Sequence, residues 1–335
     1  MSKRMKKIID FVTNRWFIKT IFFLIFLGAI VQLLMFERWA KGLGSYVPRP
    51  EAVAGLLPVG HFTSFFGWIR GAGWDTILPA GLVIIIGALA VSLIFKRGFC
   101  GYICPVGTFW EYFSLLGRKV FGHNFKLPKW IDYIGRGFQI FITSAAVFLL
   151  LSVSLAEVAS FRKLPYMWVA DLKIIHQFSQ PTFIILALVC IGVSFFFSPL
   201  WCRYLCPVGG LYSIVGMASP CKVHRNDEAC THCGKCAKAC HVLIDPSQTK
   251  AVNSNVCDGC MECVKACPER ECLEAKAFNR IVIHPWVWTI GVVVIWLIIW
   301  LFFVAIGQWH TTITDEMYRQ VINSGILEST TKGFF

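Results

Sequence analysis

Charged residues are scarce in this sequence: they make up 15% of its 335 residues, against 56% hydrophobic residues. This balance, with a mean hydropathy of +0.62, excludes an ordinary soluble protein and indicates a membrane protein. Acidic residues are rarer than basic ones, 19 against 32 Lys and Arg. In a chain of apolar segments the excess Lys and Arg mark cytoplasmic loops, so we expect no nucleic acid among the partners.

Several cofactor motifs are also missing from the sequence. It has no C-x-x-C-H, which excludes covalently attached c-type haem. It has neither a G-x-G-x-x-G after a strand nor a P-loop, so we expect no nicotinamide or ATP site. No predicted membrane span has a central histidine, so haem held by membrane histidines is not expected either.

Cysteine, by contrast, is abundant, and two copies of the run C-x2-C-x2-C-x3-C stand between residues 230 and 267. In two-cluster ferredoxins the first three thiolates of a run hold one [4Fe-4S] cluster and the fourth ligates the other cluster. The predicted ligands are therefore, for cluster one, Cys230, Cys233, Cys236 and Cys267, and for cluster two, Cys257, Cys260, Cys263 and Cys240. Zinc sites and disulfides are the alternatives. Zinc ribbons use two C-x-x-C pairs with a longer spacer, so this spacing favours iron–sulfur clusters.

Five apolar runs are long enough to be predicted as membrane-spanning helices. They cover about residues 16–36, 77–95, 137–156, 181–197 and 285–306. The first run is long and lacks a small-residue cleavage site, so we expect a retained span and no cleavable signal peptide. Lys19, near its start, is expected to extend to the lipid headgroups. The stretch 37–76 is predicted to be a loop whose apolar middle, GLLPVGHFTSFFGWIRGAGW, is too short to span and is expected to lie on or dip into the membrane interface.

The predicted fold is an all-α transmembrane bundle of about five spans, with an inserted small α+β domain of the bacterial 2[4Fe-4S] ferredoxin type. The predicted segments are a basic N-terminus (1–15), a four-span membrane domain (16–220), a ferredoxin domain (221–280), a fifth span (281–307) and a tail (308–335). The two long inner loops carry seven and ten Lys or Arg, and the outer segments carry four, three and two. This count places the N-terminus and the ferredoxin domain in the cytoplasm of a bacterium and the tail outside, in a multi-pass protein of the cytoplasmic (inner) membrane. Membrane lipid is therefore an expected partner, and a reducing compartment suits the clusters.

An internal repeat accompanies the spans: C-G-Y-I-C-P-V-G at Cys100–Gly107 returns as C-R-Y-L-C-P-V-G at Cys202–Gly209. Each copy follows a predicted span, so the repeated unit is two spans and a CxxxCP motif. Four thiols are thereby predicted to converge: Cys100, Cys104, Cys202 and Cys206. They form either a third metal centre or redox-active thiols, or they only pack at helix starts where Pro occupies the first turn. Packing is the expected role of the other three cysteines: Cys190, Cys221 and Cys272.

With these motifs in hand, the chain resembles the NapH family of membrane-bound quinol dehydrogenases, polyferredoxins related to the membrane portion of NosR. The shared pattern is four spans, a CxxxCP motif after the second and fourth, and a double-cluster ferredoxin segment, together about residues 15–280. The link GLYSIVGMASPCKVHRNDEACTHCGKC is also similar to that of the family. Two features depart from the pattern: His241 stands where many cluster runs have Pro, and the fifth span and tail are additional.

The resemblance implies an oxidoreductase subunit that takes electrons from the quinol pool. It would pass them to an extracytoplasmic iron–sulfur or haem redox protein of an anaerobic respiratory reductase. The alternatives are an accessory or maturation protein that supplies electrons for metal-cofactor assembly, and an anchor whose clusters act only as a wire.

A quinol site needs an apolar slot beside a proton acceptor, because quinol releases two electrons and two protons. Ionisable residues near membrane depth are costly and rare, so each of the few present is a candidate. We predict an outer quinone pocket at His61, Trp68 and Asp75. On the inner side, His123 and Glu111 are the alternatives.

Overall fold

The structure, a computed structural model, describes residues 13–123, 125, 127–197, 200–269 and 271–329. Its described part is mostly helical, with one small sheet. The helices are α1 Arg15–Ala40, α2 Pro58–Ile69, α3 Pro79–Phe95, α4 Gly98–Tyr102, α5 Pro105–Phe121, α6 Lys129–Ser152, α7 Leu155–Lys163, α8 Pro165–Trp168, α9 Ala170–Gln177, α10 Pro181–Phe196, α11 Pro207–Met217, α12 Lys235–Ala239, α13 Glu262–Lys265, α14 Pro285–Ala305, α15 Asp315–Asn323 and α16 Ile326–Ser329. The predicted fold class, a helical membrane protein with a small inserted α+β domain, is confirmed.

Three of the described helices, α1, α6 and α14, are long and apolar enough to cross a membrane. Helices α9 and α10 pass the same test together but are bent by 76° at the break between them, so the described residues hold three or four candidate spans. Helix α3 is apolar and somewhat shorter, with 17 residues. The predicted second and fourth spans correspond to α3 and α10.

The third span begins and ends earlier than predicted. Helix α6 starts at Lys129 instead of residue 137, because Asp132 and Arg136 continue the helix as an (i, i+4) ion pair at 2.8 Å. It ends at Ser152 because Ser154 starts the next helix: its hydroxyl accepts from the Glu157 backbone N–H in a capping box. The following stretch, which lies almost entirely outside the predicted spans, forms α7, α8 and α9.

The chain divides into two compact units. One unit contains the residues up to Phe23, Ala88–Thr143 and Leu188–Leu297. Its sheet has the order β1-β2-β3 with antiparallel pairing, from the strands Cys221–Arg225, Leu273–Ala277 and Ile281–Ile283. The register pairs Cys221 with Ala277 and Ala275 with Ile283. Between β1 and β2 the chain forms two short helices, α12 and α13, each within one of the cysteine runs.

The other unit contains Leu24–Gly87, Ser144–Ala187 and the residues from Ile298 onward. Its core packs α1 against α9 and α15, through buried side chains such as Leu33, Phe36, Leu172 and Tyr318. Phe36 and Tyr318 meet edge to face at 6.0 Å between ring centroids. Apolar burial of this kind holds the short helices α7–α9 in place.

Candidate iron–sulfur site

The first cysteine cavity lies at the first cysteine run. Its lining includes four of the predicted ligands: Cys230, Cys233, Cys236 and Cys267. A fifth thiol, that of Cys272, also lines this cavity and is within hydrogen-bonding range of Cys230 and Cys267. Cys272, expected to be a packing residue, therefore contacts two predicted ligands.

The second cysteine cavity lies at the second cysteine run. Its lining includes the other four predicted ligands: Cys240, Cys257, Cys260 and Cys263. The fourth cysteine of each run thus lies with the first three of the other run, as in the ligand exchange predicted from the spacing. The Ile244 backbone N–H donates to Cys240 Sγ at 3.3 Å, a contact that favours a thiolate at this position.

The two runs fold alike because the same positions of each adopt left-handed backbone conformations. The residue before the second cysteine has φ +52° at His232 and +65° at Gly259. The residue after that cysteine has φ +71° at Gly234 and +61° at Met261, and these two cap α12 and α13. At Gly259 a side chain is excluded, since a Cβ would lie 2.8 Å from Trp288 Cζ2.

The two CxxxCP motifs also share a local structure. The second cysteine of each caps a helix: the Gly107 N–H donates to Cys104 Sγ at 3.5 Å, and the Gly209 N–H donates to Cys206 Sγ at 3.3 Å. Pro105 and Pro207 occupy the first helical turns of α5 and α11. The helix-start interpretation of the motif therefore describes the local structure.

The same motifs bring their thiols together. Cys100, Cys104, Cys202 and Cys206, hereafter the CxxxCP group, lie close enough to one another to interact electrostatically. Burial raises the pKa of each thiol, that of Cys104 to about 12. Thiols in such a site lose their protons when a metal ligates them, since a coordinating thiol is deprotonated outright.

A buried guanidinium faces the CxxxCP group. Arg97 is 4% exposed and within electrostatic range of the Cys100, Cys202 and Cys206 thiols. Its Nη2 donates to the Cys202 carbonyl at 3.0 Å, while its Nε has no hydrogen-bond partner. Among the described residues no carboxylate forms an ion pair with it. A buried cation of this kind requires an anion, which thiolates bound to a metal would supply, so this donor set fits a metal centre.

A cluster of buried ionisable groups, hereafter the ion cluster, lies in the same unit. It consists of Arg15, Lys19, Glu111, His241 and Asp258. Arg15 donates to both carboxylate oxygens of Glu111, Lys19 also donates to Glu111, and His241 Nε2 lies 2.9 Å from Asp258 Oδ2. The expectation that Lys19 extends to the headgroups is wrong: its side chain is fully buried because Glu111 provides a partner inside the protein.

The charges of this cluster determine the pKa of Glu111, and one of the charged groups is the unusual His241. Burial alone would raise the pKa of Glu111, but Arg15, His241 and Lys19 outweigh it and lower the pKa to about 2. His241 stands where cluster runs often have Pro, and its ring lies between Asp258 and Glu111, 3.7 Å from the latter. The departure from the usual run therefore places a polar group in the ion cluster.

The ion cluster also joins the CxxxCP group to the second cysteine cavity. Asp258 follows the ligand candidate Cys257, and Gly101 follows Cys100. Arg15 Nε donates to the Gly101 carbonyl at 2.9 Å, and a Cβ on Gly101 would lie 2.8 Å from the Asp258 carbonyl oxygen. The backbones of the two cysteine sites are therefore in direct contact.

The residues of the predicted outer quinone pocket all belong to the other unit. His61 is buried, and its Nε2 lies 2.8 Å from the Ala54 carbonyl oxygen. Asp75 is buried too: it accepts from Ser64 and lies 3.3 Å from Arg162 Nε. Trp68 is 40% exposed.

The inner alternatives differ in their environments. Glu111 is buried within the ion cluster and bonded to two cations. His123 is exposed, with its ring 5.0 Å from that of Phe125. Of the remaining cysteines, Cys221 is buried in β1 and Cys190 is half-buried in α10.

Sequence reasoning missed the charged residues around the cysteines. Lys96 and Arg97 counted only as loop charges, yet both are buried beside cysteine sites. Their position directly before a cysteine motif was the sequence feature that could have indicated a role at the cysteines. A basic pair at the end of a span is, however, also what the positive-inside rule predicts.

Comparisons with known proteins agree with this arrangement. A 4Fe-4S binding domain model matches residues 77–123 and again 179–225, the two copies of the repeat. A 4Fe-4S dicluster domain model matches residues 222–274. The putative electron transport protein YccM of Escherichia coli is 31% identical over 286 residues, 83% of this chain and 80% of that protein. The ferredoxin-type protein NapH of E. coli is 27% identical over 57% of this chain and 67% of its own length.

The chain belongs to the NapH-type polyferredoxin family. The regulatory protein NosR of Pseudomonas aeruginosa is another relative of this NapH-type chain, 28% identical over 56% of it and 26% of NosR. No solved structure matches the chain significantly. The resemblance inferred from the motifs is thus confirmed, and the chain is a ferredoxin-type iron–sulfur electron-transfer protein of a membrane.

Proposed function

We propose that this chain oxidises quinol in the membrane and passes the electrons to a partner redox protein of an anaerobic respiratory reductase. The observation that carries the proposal is the grouping of cysteines into two cavities and the CxxxCP group within one compact unit. Electron transfer between redox centres requires such closely spaced sites. Quinol releases its electrons in pairs, and a series of one-electron centres takes them one at a time.

Two [4Fe-4S] clusters are assigned to the two cysteine cavities, with the ligands predicted from the spacing. A [4Fe-4S] cluster supplies one-electron transfer at a potential set by its protein surroundings. The chain itself contributes four thiolates for each cavity and backbone N–H groups directed at sulfur, such as that of Ile244 at Cys240. Partial burial of the ligands keeps water away from the second cavity in particular, where Cys240 and Cys260 are 8% and 7% exposed.

A third metal centre is assigned to the CxxxCP group. Four thiols in mutual electrostatic range, and an Arg97 whose Nε has no hydrogen-bond partner, support this assignment over packing alone. The match of a 4Fe-4S binding domain model to both copies of the repeat supports it as well. Because Gly101 contacts Asp258, this centre would lie next to the second cavity in the path of the electrons.

The outer group of His61, Trp68 and Asp75 remains our proposal for the quinol site. Burial lowers the pKa of His61 to about 4, so its ring is neutral at physiological pH. Asp75 pairs with Arg162 and accepts a hydrogen bond from Ser64, and Trp68 offers an exposed ring near the rings of Phe65 and Trp74. Carboxylates and neutral imidazoles are side chains that accept protons in general base catalysis.

From the Lys and Arg counts we propose a cytoplasmic N-terminus and ferredoxin segment, and an extracytoplasmic tail that faces the partner protein. Reporter fusions after residue 280 and after residue 325 test this orientation. A reporter that is active only in the cytoplasm is expected to work at the first site alone. The reverse pattern would overturn the orientation.

Anaerobic reduction by quinol tests the proposed function directly. The full-length protein in lipid nanodiscs is mixed with a water-soluble menaquinol analogue and frozen for electron paramagnetic resonance. We expect signals of reduced clusters that also develop with dithionite. Clusters that dithionite reduces and quinol never reduces would refute quinol oxidation and favour a role in cofactor maturation.

Iron analysis tests the third centre separately. Three [4Fe-4S] clusters correspond to about 12 irons per chain, and we expect Cys100→Ser with Cys202→Ser to leave about 8. Cys190→Ser, outside all three cysteine groups, is the matched control and should retain the wild-type content. A wild-type content of about 8 that the double variant leaves unchanged would rule out a third cluster.

A further inference from the structure

Lys96 has an unusual backbone conformation for a lysine. It lies between α3 and α4 with φ +60°, in the left-handed backbone region that residues other than glycine rarely adopt. Its N–H donates to Ser219 Oγ at 3.3 Å, and that hydroxyl donates to the Ile94 carbonyl at 2.6 Å. Conformations of this kind persist where surrounding structure holds them, often at functional sites.

The side chains of Lys96 and Arg97 serve different cysteine sites. Lys96 is 2% exposed, its Nζ donates to Asn253 Oδ1 at 2.8 Å, and it is within electrostatic range of Cys257 in the second cavity. Arg97 faces the CxxxCP group, as described above. Consecutive cations are thereby directed at two neighbouring redox sites.

Neither cation is neutralised by a carboxylate ion pair among the described residues. Asp258 is within electrostatic range of Arg97, but its ion pairs are with Arg15 and His241. Lys222 lies within range of Lys96 and adds to the positive charge there. Once a metal has displaced their protons, the thiolates of the two sites are anions within electrostatic range of these side chains.

Fixed positive charge next to a redox centre stabilises its reduced form, because reduction adds one negative charge. The effect is large where both groups are buried, since the low dielectric strengthens the interaction. Charge and hydrogen bonding around the sulfurs are among the properties that set cluster potentials.

We propose that Lys96 and Arg97 are potential-setting residues, Lys96 for the cluster of the second cavity and Arg97 for the centre of the CxxxCP group. The pair then determines the difference in potential between the two sites, and so the direction in which an electron moves between them. The Arg97 half of this inference rests on the third centre proposed above, whereas the Lys96 half does not.

Redox titration of the full-length protein, followed by electron paramagnetic resonance, tests the inference. Lys96→Met and Arg97→Met each remove one charge, while Lys96→Arg and Arg97→Lys keep it. Lys250→Met, at a lysine side chain that is 87% exposed, is the control. Cys→Ser variants of each cysteine group identify which signal belongs to which site.

We expect Lys96→Met to move the midpoint of the second-cavity cluster to more negative potential and to leave the first-cavity cluster unchanged. At the wild-type midpoint, the reduced fraction of the affected cluster should fall well below one half. Arg97→Met should act in the same direction on the CxxxCP centre alone. The charge-conserving variants and Lys250→Met should retain wild-type midpoints.

Iron content separates failure of this inference from failure of the proposed function. A wild-type protein with only two clusters refutes the third centre and the Arg97 half of the inference. The Lys96 half is then tested by the midpoint of the second-cavity cluster alone. Full iron content with unchanged midpoints in Lys96→Met overturns the inference. If Arg97→Met loses iron, Arg97→Lys provides the test instead. A midpoint shift in Arg97→Lys, whose charge is conserved, would mean that geometry and not charge sets the potential. That result would also overturn the inference.

Discussion

Arg15 donates two hydrogen bonds to Glu111, from Nη1 to Oε1 at 2.7 Å and from Nη2 to Oε2 at 2.6 Å, across 96 residues of sequence. Both side chains are buried, 1% and 3% exposed. Such bidentate pairs are stronger and more specific than single contacts. Lys19 donates to the same carboxylate, so Glu111 balances two buried cations that begin helix α1.

Glu111→Gln is therefore expected to destabilise the protein by roughly 3–5 kcal/mol, because it leaves the buried Lys19 without its anion and Arg15 with Asp258 alone. Thermal unfolding in detergent, followed by helical circular dichroism, measures the loss. Glu316→Gln, at a carboxylate whose side chain is 64% exposed, is the control and should change stability by no more than about 0.5 kcal/mol.

A second variant distinguishes charge balance from lost packing. Adding Lys19→Met to Glu111→Gln removes a buried cation that the first substitution leaves without an anion. The double variant should therefore recover part of the stability. If the double variant is as unstable as the sum of both single variants, the charge argument does not hold.

The contrast between Cys230 and Lys19 shows how far the sequence allowed prediction. The grouping of the cysteines into two cavities could be predicted because a cluster-binding run is local: three thiols a few residues apart require one kind of loop. The burial of the Lys19 side chain could not be predicted from the sequence. A lysine near a helix start is equally compatible with a contact to lipid headgroups and with a contact to a buried carboxylate 92 residues away. Only the tertiary contact with Glu111 decides between them.

The same reason accounts for the differences in helix bounds and in the outer segment. Apolar runs predict the spans, but α6 starts eight residues earlier than predicted because Asp132 and Arg136 support the helix. Residues 157–177 lie outside the five predicted apolar runs, so the sequence predicts no helix there. Their helices are held by tertiary burial of residues such as Leu172, which is 1% exposed.

Gly259→Ala is expected to destabilise the ferredoxin segment more than Gly234→Ala. Both glycines have positive φ, which costs an alanine about 1–2 kcal/mol. At Gly259 the new Cβ would also lie 2.8 Å from Trp288 Cζ2 and 2.9 Å from the Phe95 carbonyl oxygen, which adds about 1–3 kcal/mol of overpacking. At Gly234 no heavy atom lies within 4 Å of that position.

Resistance to proteolysis and iron retention of the two variants measure this difference. Gly234→Ala should keep its clusters, since Met261 holds the equivalent position of the second run with φ +61°. Equal losses in both variants would show that backbone strain alone matters and that contact with Trp288 does not.

His61 predicts a pH dependence of stability. Burial lowers its pKa to about 4, despite the bond to Ala54 that raises it, whereas in the unfolded chain the pKa is near 6.5. The neutral ring therefore contributes stability that is fully present above pH 6.5 and lost as the pH falls towards 4, up to about 3 kcal/mol. His61→Gln keeps a donor for the Ala54 carbonyl without a titrating ring. Between pH 6.5 and 4.5 the unfolding temperature of wild type should fall more steeply than that of the variant, and parallel curves would contradict this assignment.

Trp68 offers the test of the quinol site that is least confounded by folding, because it is 40% exposed whereas His61 and Asp75 are buried. In the proposed pocket the indole stacks against the quinol ring, and stacking against an aromatic side chain contributes about 0.5–1.5 kcal/mol. Trp68→Ala should therefore raise the KM for a quinol analogue by roughly three- to tenfold, with kcat and cluster content unchanged. Trp286→Ala, at a tryptophan 39% exposed at the start of α14, is the matched control and should leave KM at its wild-type value. If both substitutions raise KM alike, the effect reflects membrane anchoring by surface tryptophans; if Trp68→Ala leaves KM unchanged, the quinol ring does not bind at this indole.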